Sequence, residues 1–169
     1  METKGVVYLL EALSHLKESG RAAKAIIIGT GPLENELRSY VEKHDLQEDV
    51  VFNGWVDQSK LPAYYATADV FAGPSLYEAQ GLVFVEALAS GIPVITTVGN
   101  GPDDFVEDSV NGYLVKPKSS QELFEKLTQL YDNPALLRRM KAAAPVAVNE
   151  KFAWKTAADS YIKSWRQYL

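Results

Sequence analysis

The chain has 169 residues, a formal net charge of −5, 47% hydrophobic and 23% charged residues, and no cysteine. That length suits one domain with a full core over residues 1–169, and an acidic balance without a basic stripe argues against a nucleic-acid partner. No apolar run approaches the roughly 20 residues of a membrane span, and the lack of cysteine removes disulfide frameworks and thiolate metal sites, which fits a reducing, cytoplasmic setting.

The first residues, Met1 to Gly5, carry none of the marks of a secretory signal. Val6, Leu9, Leu10, Leu13 and Leu16 then recur at helical spacing, with Gly20 placed as a C-cap. A β-rich run follows at Ala25–Ile28, ended by Gly29. Pro32 sits in a predicted first helical turn ahead of Leu33, Leu37, Tyr40 and Val41. Val50–Phe52 reads as a second strand, Leu61, Tyr64 and Tyr65 as a short helix, and Asp69–Ala72 as a third strand ended by Gly73-Pro74. A helix over Leu82–Ser90 stops at Gly91, and strands follow at Pro93–Thr97 and Tyr113–Val115. Ser120 is the expected cap of a helix holding Leu123, Leu127 and Leu130. Pro134 opens another, which Pro145 should end or kink. Trp154, Ala158, Tyr161, Ile162, Trp165 and Leu169 stripe a last helix. The alternation predicts an α/β, Rossmann-like three-layer sandwich around a parallel sheet. Continuous apolar runs suit strands covered on both faces. The order opens on a helix, whereas an open sheet of this kind normally opens on a strand. His15 and His44 read as surface histidines, and Arg138, Arg139 and Lys141 as a solvated helix face.

Two segments bear on chemistry. Gly29-Thr30-Gly31-Pro32 joins a strand to a helix, where backbone N–H groups can meet a phosphate. A dinucleotide fingerprint would need a third glycine at position 34, which is Glu34, so a tight turn bordering a ligand is favoured over a dehydrogenase site. In the second segment, a strand ends at Pro74, a loop carries Glu78, and a helix begins near Gly81 with Glu86 in its second turn. The free N–H groups of Gly81, Leu82 and Val83, with the helix dipole, make an anion site suited to a diphosphate. Glu86 suits a vicinal diol such as a ribose, and Glu78 can reach sugar hydroxyls beyond the phosphate. By themselves, two glutamates at this spacing are equally a helix-stabilising Glu78 and an exposed Glu86.

The whole string from Ser75 to Gly91, with Pro74 before it and Ile92-Pro93-Val94-Ile95 after it, closely resembles the Glu-x7-Glu motif of the retaining group-1 glycosyltransferases. These have two facing Rossmann-like domains, the GT-B fold. Ile26-Ile27-Ile28-Gly29-Thr30-Gly31-Pro32-Leu33, Val51-Phe52-Asn53-Gly54-Trp55-Val56, Tyr64-Tyr65-Ala66-Thr67-Ala68-Asp69-Val70, Asn111-Gly112-Tyr113-Leu114-Val115 and Phe152-Ala153-Trp154 extend the likeness along nearly the whole chain. The resemblance implies the C-terminal, donor-binding half of such an enzyme, taking a nucleotide-diphosphate sugar. It implies that Glu86 binds the ribose, that Glu78 contacts the donor sugar, and that Gly81, Leu82 and Val83 hold the phosphate. Lys4 would neutralise the leaving diphosphate, Gly29 and Gly31 would border the ligand, and Trp55 and Val56 would line the base. No cofactor and no metal are expected, since Lys4 and the helix start supply the positive charge.

The sequence departs from the family pattern in three places. Ala79-Gln80 replaces a commoner Gly-Phe or Pro-Phe. Gly99-Asn100-Gly101-Pro102-Asp103-Asp104 replaces a glycine-rich run ending in Pro-Glu, with Asp103 the candidate stand-in. The family's first strand of this domain, with its arginine, and the N-terminal acceptor domain should precede Lys4 and are not in this chain. The expected partners are therefore a nucleotide sugar, an acceptor domain or separate chain supplying it, and a second copy pairing through the sheet gap. Transfer by the isolated chain should be negligible. Membrane association of a full-length protein stays open. The alternatives are a non-catalytic nucleotide-sugar-binding or partner-binding subunit, and a sugar-nucleotide epimerase on the same architecture.

Overall fold

The computed structural model describes residues 4–152 and 154–166. Seven α-helices and five strands alternate in these residues: α1 Val6–Glu18, β1 Ala25–Ile28, α2 Glu34–Lys43, β2 Val50–Gly54, α3 Leu61–Thr67, β3 Phe71–Gly73, α4 Leu82–Ala89, β4 Val94–Thr97, β5 Gly112–Val115, α5 Ser120–Asp132, α6 Pro134–Phe152 and α7 Trp154–Trp165. All strand pairing within these elements is parallel. The fold is α/β and Rossmann-like.

The expected single sheet is two. β1 pairs with β2, and β3, β4 and β5 form a second ladder in that order. Among the described residues no ladder joins β1 to β3. The break falls in the middle of the expected sheet, where the sequence reading puts an absent strand. α1 spans it: Leu10, Leu13 and Leu16 pack with Val41, Leu46 and Val50 over β1 and β2. Ala12, on another side of the same helix, packs with Ile95, Tyr113 and Leu123 beside the second ladder.

Coverage differs between the ladders. β4 is buried at all four positions. Val94 faces a cluster with Phe84, Leu88 and Val148, and Ile95, one residue on, faces the cluster with Leu123 and Met140. This is the period-2 alternation of a strand sandwiched between two helical layers, α4 and the later part of α6 on one side and α1, α5 and the start of α6 on the other. Each fully buried aliphatic contributes about 1.5–3 kcal/mol relative to exposure. In β1 and β2 the expectation of two covered faces fails. Ile26, Ile28 and Val51 are 52%, 38% and 54% exposed. The side chains of Ala25, Ile27 and Phe52, on the opposite face, pack toward α1 and α2.

Other boundaries shift for local reasons. β3 begins at Phe71, whose N–H donates to the Pro93 carbonyl at 3.0 Å, while Asp69 lies before the ladder and pairs with Lys141 at 2.6 Å. Pro32 lies before Leu33, the N-cap of α2, and so outside its first turn. The cap of α5 is Ser119, whose hydroxyl accepts from the Glu122 N–H at 3.2 Å, and Ser120 is already helical. Pro145 does not end its helix, which runs on to Phe152. The adjoining residues Ala144 and Val148 are buried against α4, and this packing outweighs the lost backbone hydrogen bond. On α7, Tyr161, Ile162 and Trp165 are 73%, 50% and 74% exposed. Met1, Ala153, Tyr168 and Leu169 lie outside the described residues.

Candidate functional site

Gly81 starts α4 in the left-handed region, φ 68°, as its N-cap. An added Cβ there would stand 2.6 Å from the Phe84 ring, so neither backbone nor space tolerates a side chain. Phe84 is almost wholly buried and anchors the helix start. Leu82 and Val83 face outward, 64% and 41% exposed. The Phe84 N–H donates back to the Gly81 carbonyl at 2.9 Å, while the N–H groups of Gly81, Leu82 and Val83 have no hydrogen-bond partner among the described residues. Glu86 lies three residues beyond Val83 and so on the same side of α4. Its Oε2 accepts from the Tyr65 hydroxyl at 3.0 Å, and the same hydroxyl lies 3.3 Å from the Val83 carbonyl. Burial, and then the carboxylate of Glu86, hold the Tyr65 phenol well above its ordinary ionisation range.

Glu78 stands in the loop that leads to the helix start, its Cγ 3.1 Å from where a Cβ on Gly81 would lie. Its side chain is 15% exposed and receives the Lys4 ammonium at 2.5 Å. Lys4 arrives there because Gly5, the N-cap of α1, takes φ 64° and approaches Pro74 so closely that a Cβ would lie 1.9 Å from the Pro74 carbonyl oxygen. Lys4, Glu78, Gly81, Leu82, Val83 and Glu86 are thus held around one helix terminus, by α1, the β3–α4 loop and α4.

The remaining sequence candidates lie beyond the ends of the other ladder. The Gly29 N–H donates to the Gly54 carbonyl at 2.7 Å, so Gly29 closes the β1 turn and its own donor is taken. Gly31 is exposed and accepts from the Glu34 N–H at 3.1 Å. Trp55 is 75% exposed, and Val56 is half-buried. Among the described residues no hydrogen bond or ion pair joins these four to Glu78 or Glu86. α3 provides the link instead, with Tyr64 donating to Asn53 at 3.2 Å and Tyr65 to Glu86. Asp103 turns back on its own loop: Oδ2 accepts from the Gly99 N–H at 2.6 Å. A hollow of about 340 Å³ lined by Leu13, Lys17, Arg21 and Asp49 lies at the opposite end of the strands and touches none of the site residues.

Sequence reasoning missed Tyr65 and Asn100. In the sequence Tyr65 marks only a short helix, with Leu61 and Tyr64. Asn100 lay inside a loop marked only as unusual, and the contact that gives it meaning is with a residue 22 positions away.

The model of the group 1 glycosyl transferases matches residues 1–146, and the chain belongs to that family. The α-D-kanosaminyltransferase of Streptomyces kanamyceticus is 27% identical over 164 residues, 97% of this chain and 42% of that enzyme. The C-terminal domain of a group 1 family protein from Francisella tularensis superposes with TM-score 0.82 at 31% identity, over 90% of this chain and 81% of that one. HepE of Anabaena, solved with UDP, gives TM-score 0.88 at 25% identity, over 99% of this chain and 46% of HepE; that protein has also been solved with UDP-glucose. The chain therefore spans less than half the length of its full-length relatives, as a C-terminal GT-B domain does.

Proposed function

We propose that this chain is the donor-binding half of a retaining glycosyltransferase, which transfers a hexosyl group from a nucleoside-diphosphate sugar to an acceptor hydroxyl. One observation carries the reading: a helix start with unpartnered N–H groups lies between two glutamates, and a lysine is already seated on one of them. The diphosphate sits on the N–H groups of Gly81, Leu82 and Val83, with the positive end of the α4 dipole behind it. Glu86, fixed through one oxygen by Tyr65, offers the other to the ribose diol. Glu78 faces the sugar. Lys4 moves from Glu78 onto the diphosphate and stabilises the charge that grows as the anomeric carbon–oxygen bond breaks, a contribution that is often the largest in such reactions. No resident metal is needed for this. Trp55 and Val56 border the base, and Gly29 and Gly31 shape the adjoining rim.

The acceptor is held by a second domain, outside this chain, which closes over Glu78 and Lys4. The exposed Tyr161, Ile162 and Trp165 face of α7 is proposed as part of its seat. The isolated chain, as a single domain, binds donor weakly and transfers negligibly. The gap between β1 and β3 takes a strand of the whole protein, and in its absence a second copy of this chain. A cytoplasmic location suits the cysteine-free sequence.

Isothermal titration with UDP-, GDP- and ADP-sugars tests this. One of the three binds, and Glu86→Ala weakens it about tenfold or more, the usual loss when hydrogen bonds to a charged group are removed. Heat from none of them, together with no effect of Glu86→Ala, would sink the reading.

A further inference from the structure

We propose that Asn100 is the positioning residue for Glu78, an amide clamp that fixes how the loop before α4 presents its carboxylate. This rests on the reading of Glu78 as the group that faces the donor sugar. The Asn100 Oδ1 accepts from the Glu78 backbone N–H at 2.9 Å. Its Nδ2 donates to the Thr97 hydroxyl at 2.7 Å and lies 3.2 Å from the Ser75 carbonyl. The amide orientation is forced by chemistry, because one end meets a donor and the other meets acceptors. The Thr97 hydroxyl in turn donates to the Ser75 carbonyl.

A second contact ties the same loops. The Gly101 N–H donates to the Glu78 carbonyl at 2.9 Å, so both backbone polar groups of Glu78 are held by successive residues of the β4 loop. The approach is tight enough that a Cβ on Gly101 would stand 2.2 Å from the Ala79 carbonyl oxygen. β4 is buried at every position and so forms a rigid base for the clamp. Among the described residues the Glu78 side chain has one hydrogen-bond partner, Lys4, and that partner is the one the donor diphosphate would draw away. Once Lys4 leaves, Glu78 is aimed by its backbone alone, and Asn100 and Gly101 are what fix that backbone. A carboxylate placed within a few tenths of an ångström discriminates hydroxyl positions, and a loosened one does not.

The test compares UDP with UDP-glucose, and GDP with GDP-mannose, by titration of the 169-residue chain. Glu78→Gln lowers the preference for sugar-bearing over bare nucleotide about tenfold, and Asn100→Ala lowers it about fivefold with bare-nucleotide affinity unchanged; the double variant loses no more than Glu78→Gln alone. Thr97→Val, which removes one anchor of the amide and the hydroxyl's own bond to the Ser75 carbonyl but leaves the Asn100–Glu78 bond in place, gives a smaller loss in the same sense. Hydrogen exchange in the ligand-free chain reads the clamp directly: the Glu78 amide exchanges at least about tenfold faster in Asn100→Ala while the amides of α5 keep their protection. Equal weakening of bare and sugar-bearing nucleotides by Asn100→Ala, or an unchanged Glu78 amide, overturns the proposal. A preference lowered by Glu78→Gln but not by Asn100→Ala overturns it alone. A preference that Glu78→Gln leaves untouched, or no binding of any of the four probes, overturns the sugar-facing reading and this proposal with it.

Discussion

At the scale of single residues, Tyr65 and Gly5 carry the sharpest expectations. The Tyr65 hydroxyl donates to Glu86, so Tyr65→Phe leaves that carboxylate without its one side-chain donor among the described residues. The stability loss should be about 1 kcal/mol, read from urea unfolding, and nucleotide affinity should fall because Glu86 is free to rotate. The phenol also gives a pH signature. Its ionisation is raised above the ordinary tyrosine value of 10.0, first by burial and then by Glu86. The folded protein therefore keeps a proton that the unfolded chain releases, so stability is full below that value and falls as pH rises past it. Melting temperature followed into the alkaline range should drop more steeply in the native sequence than in Tyr65→Phe. Gly5→Ala meets two obstacles, a left-handed φ of 64° and a Cβ placed 1.9 Å from the Pro74 carbonyl oxygen. It should cost more than about 2 kcal/mol and move Lys4 off Glu78.

At the scale of elements, α4 and β4 form the frame that the site hangs on. Phe84 fills the space beneath Gly81, packs edge-on against Phe71 with ring centroids 5.2 Å apart, and is 1% exposed. Phe84→Ala should cost about 3–5 kcal/mol, and ligand binding should fail with it, because the cavity opens directly under the anion-binding turn. Ile26→Ala, on the exposed face of β1, should change stability by less than about 0.5 kcal/mol in a monomer, since no buried contact is lost. Chemical denaturation of both variants side by side checks the contrast. By local rules Pro145 should end or kink its helix; the helix does not end there, and contacts of Ala144 and Val148 with the α4 layer carry it on to Phe152.

At the scale of the molecule, the division into a β1–β2 ladder and a β3–β4–β5 ladder governs behaviour in solution. β1 and β3 each present an unpaired edge within the described structure, and beside β1 the side chains of Ile26 and Ile28 stand exposed. Unpaired parallel edges with apolar neighbours seek another strand. The isolated chain should sediment as a concentration-dependent dimer. Adding, upstream of Lys4, the strand that the proposed function calls for should return it to a monomer and raise its melting temperature. A monomer at all concentrations, with high cooperative stability, would count against strand pairing through the gap.

The sequence by itself determined the α/β alternation, because apolar periods of 3.6 and 2 are local and strong here, and it determined the family, because Pro74 to Ile95 is a long contiguous string. It also marked Lys4, Glu78, Gly81 and Glu86, whose chemical type declares itself without neighbours. Tertiary structure alone decided that Lys4 meets Glu78 across 74 positions, that Tyr65 holds Glu86 across 21, and that Asn100 holds the Glu78 backbone across 22. It decided, too, which face of β1 stays uncovered. The physical reason is the same in each case: a hydrogen bond or a buried face belongs to a pair of surfaces, and only folding chooses the second one.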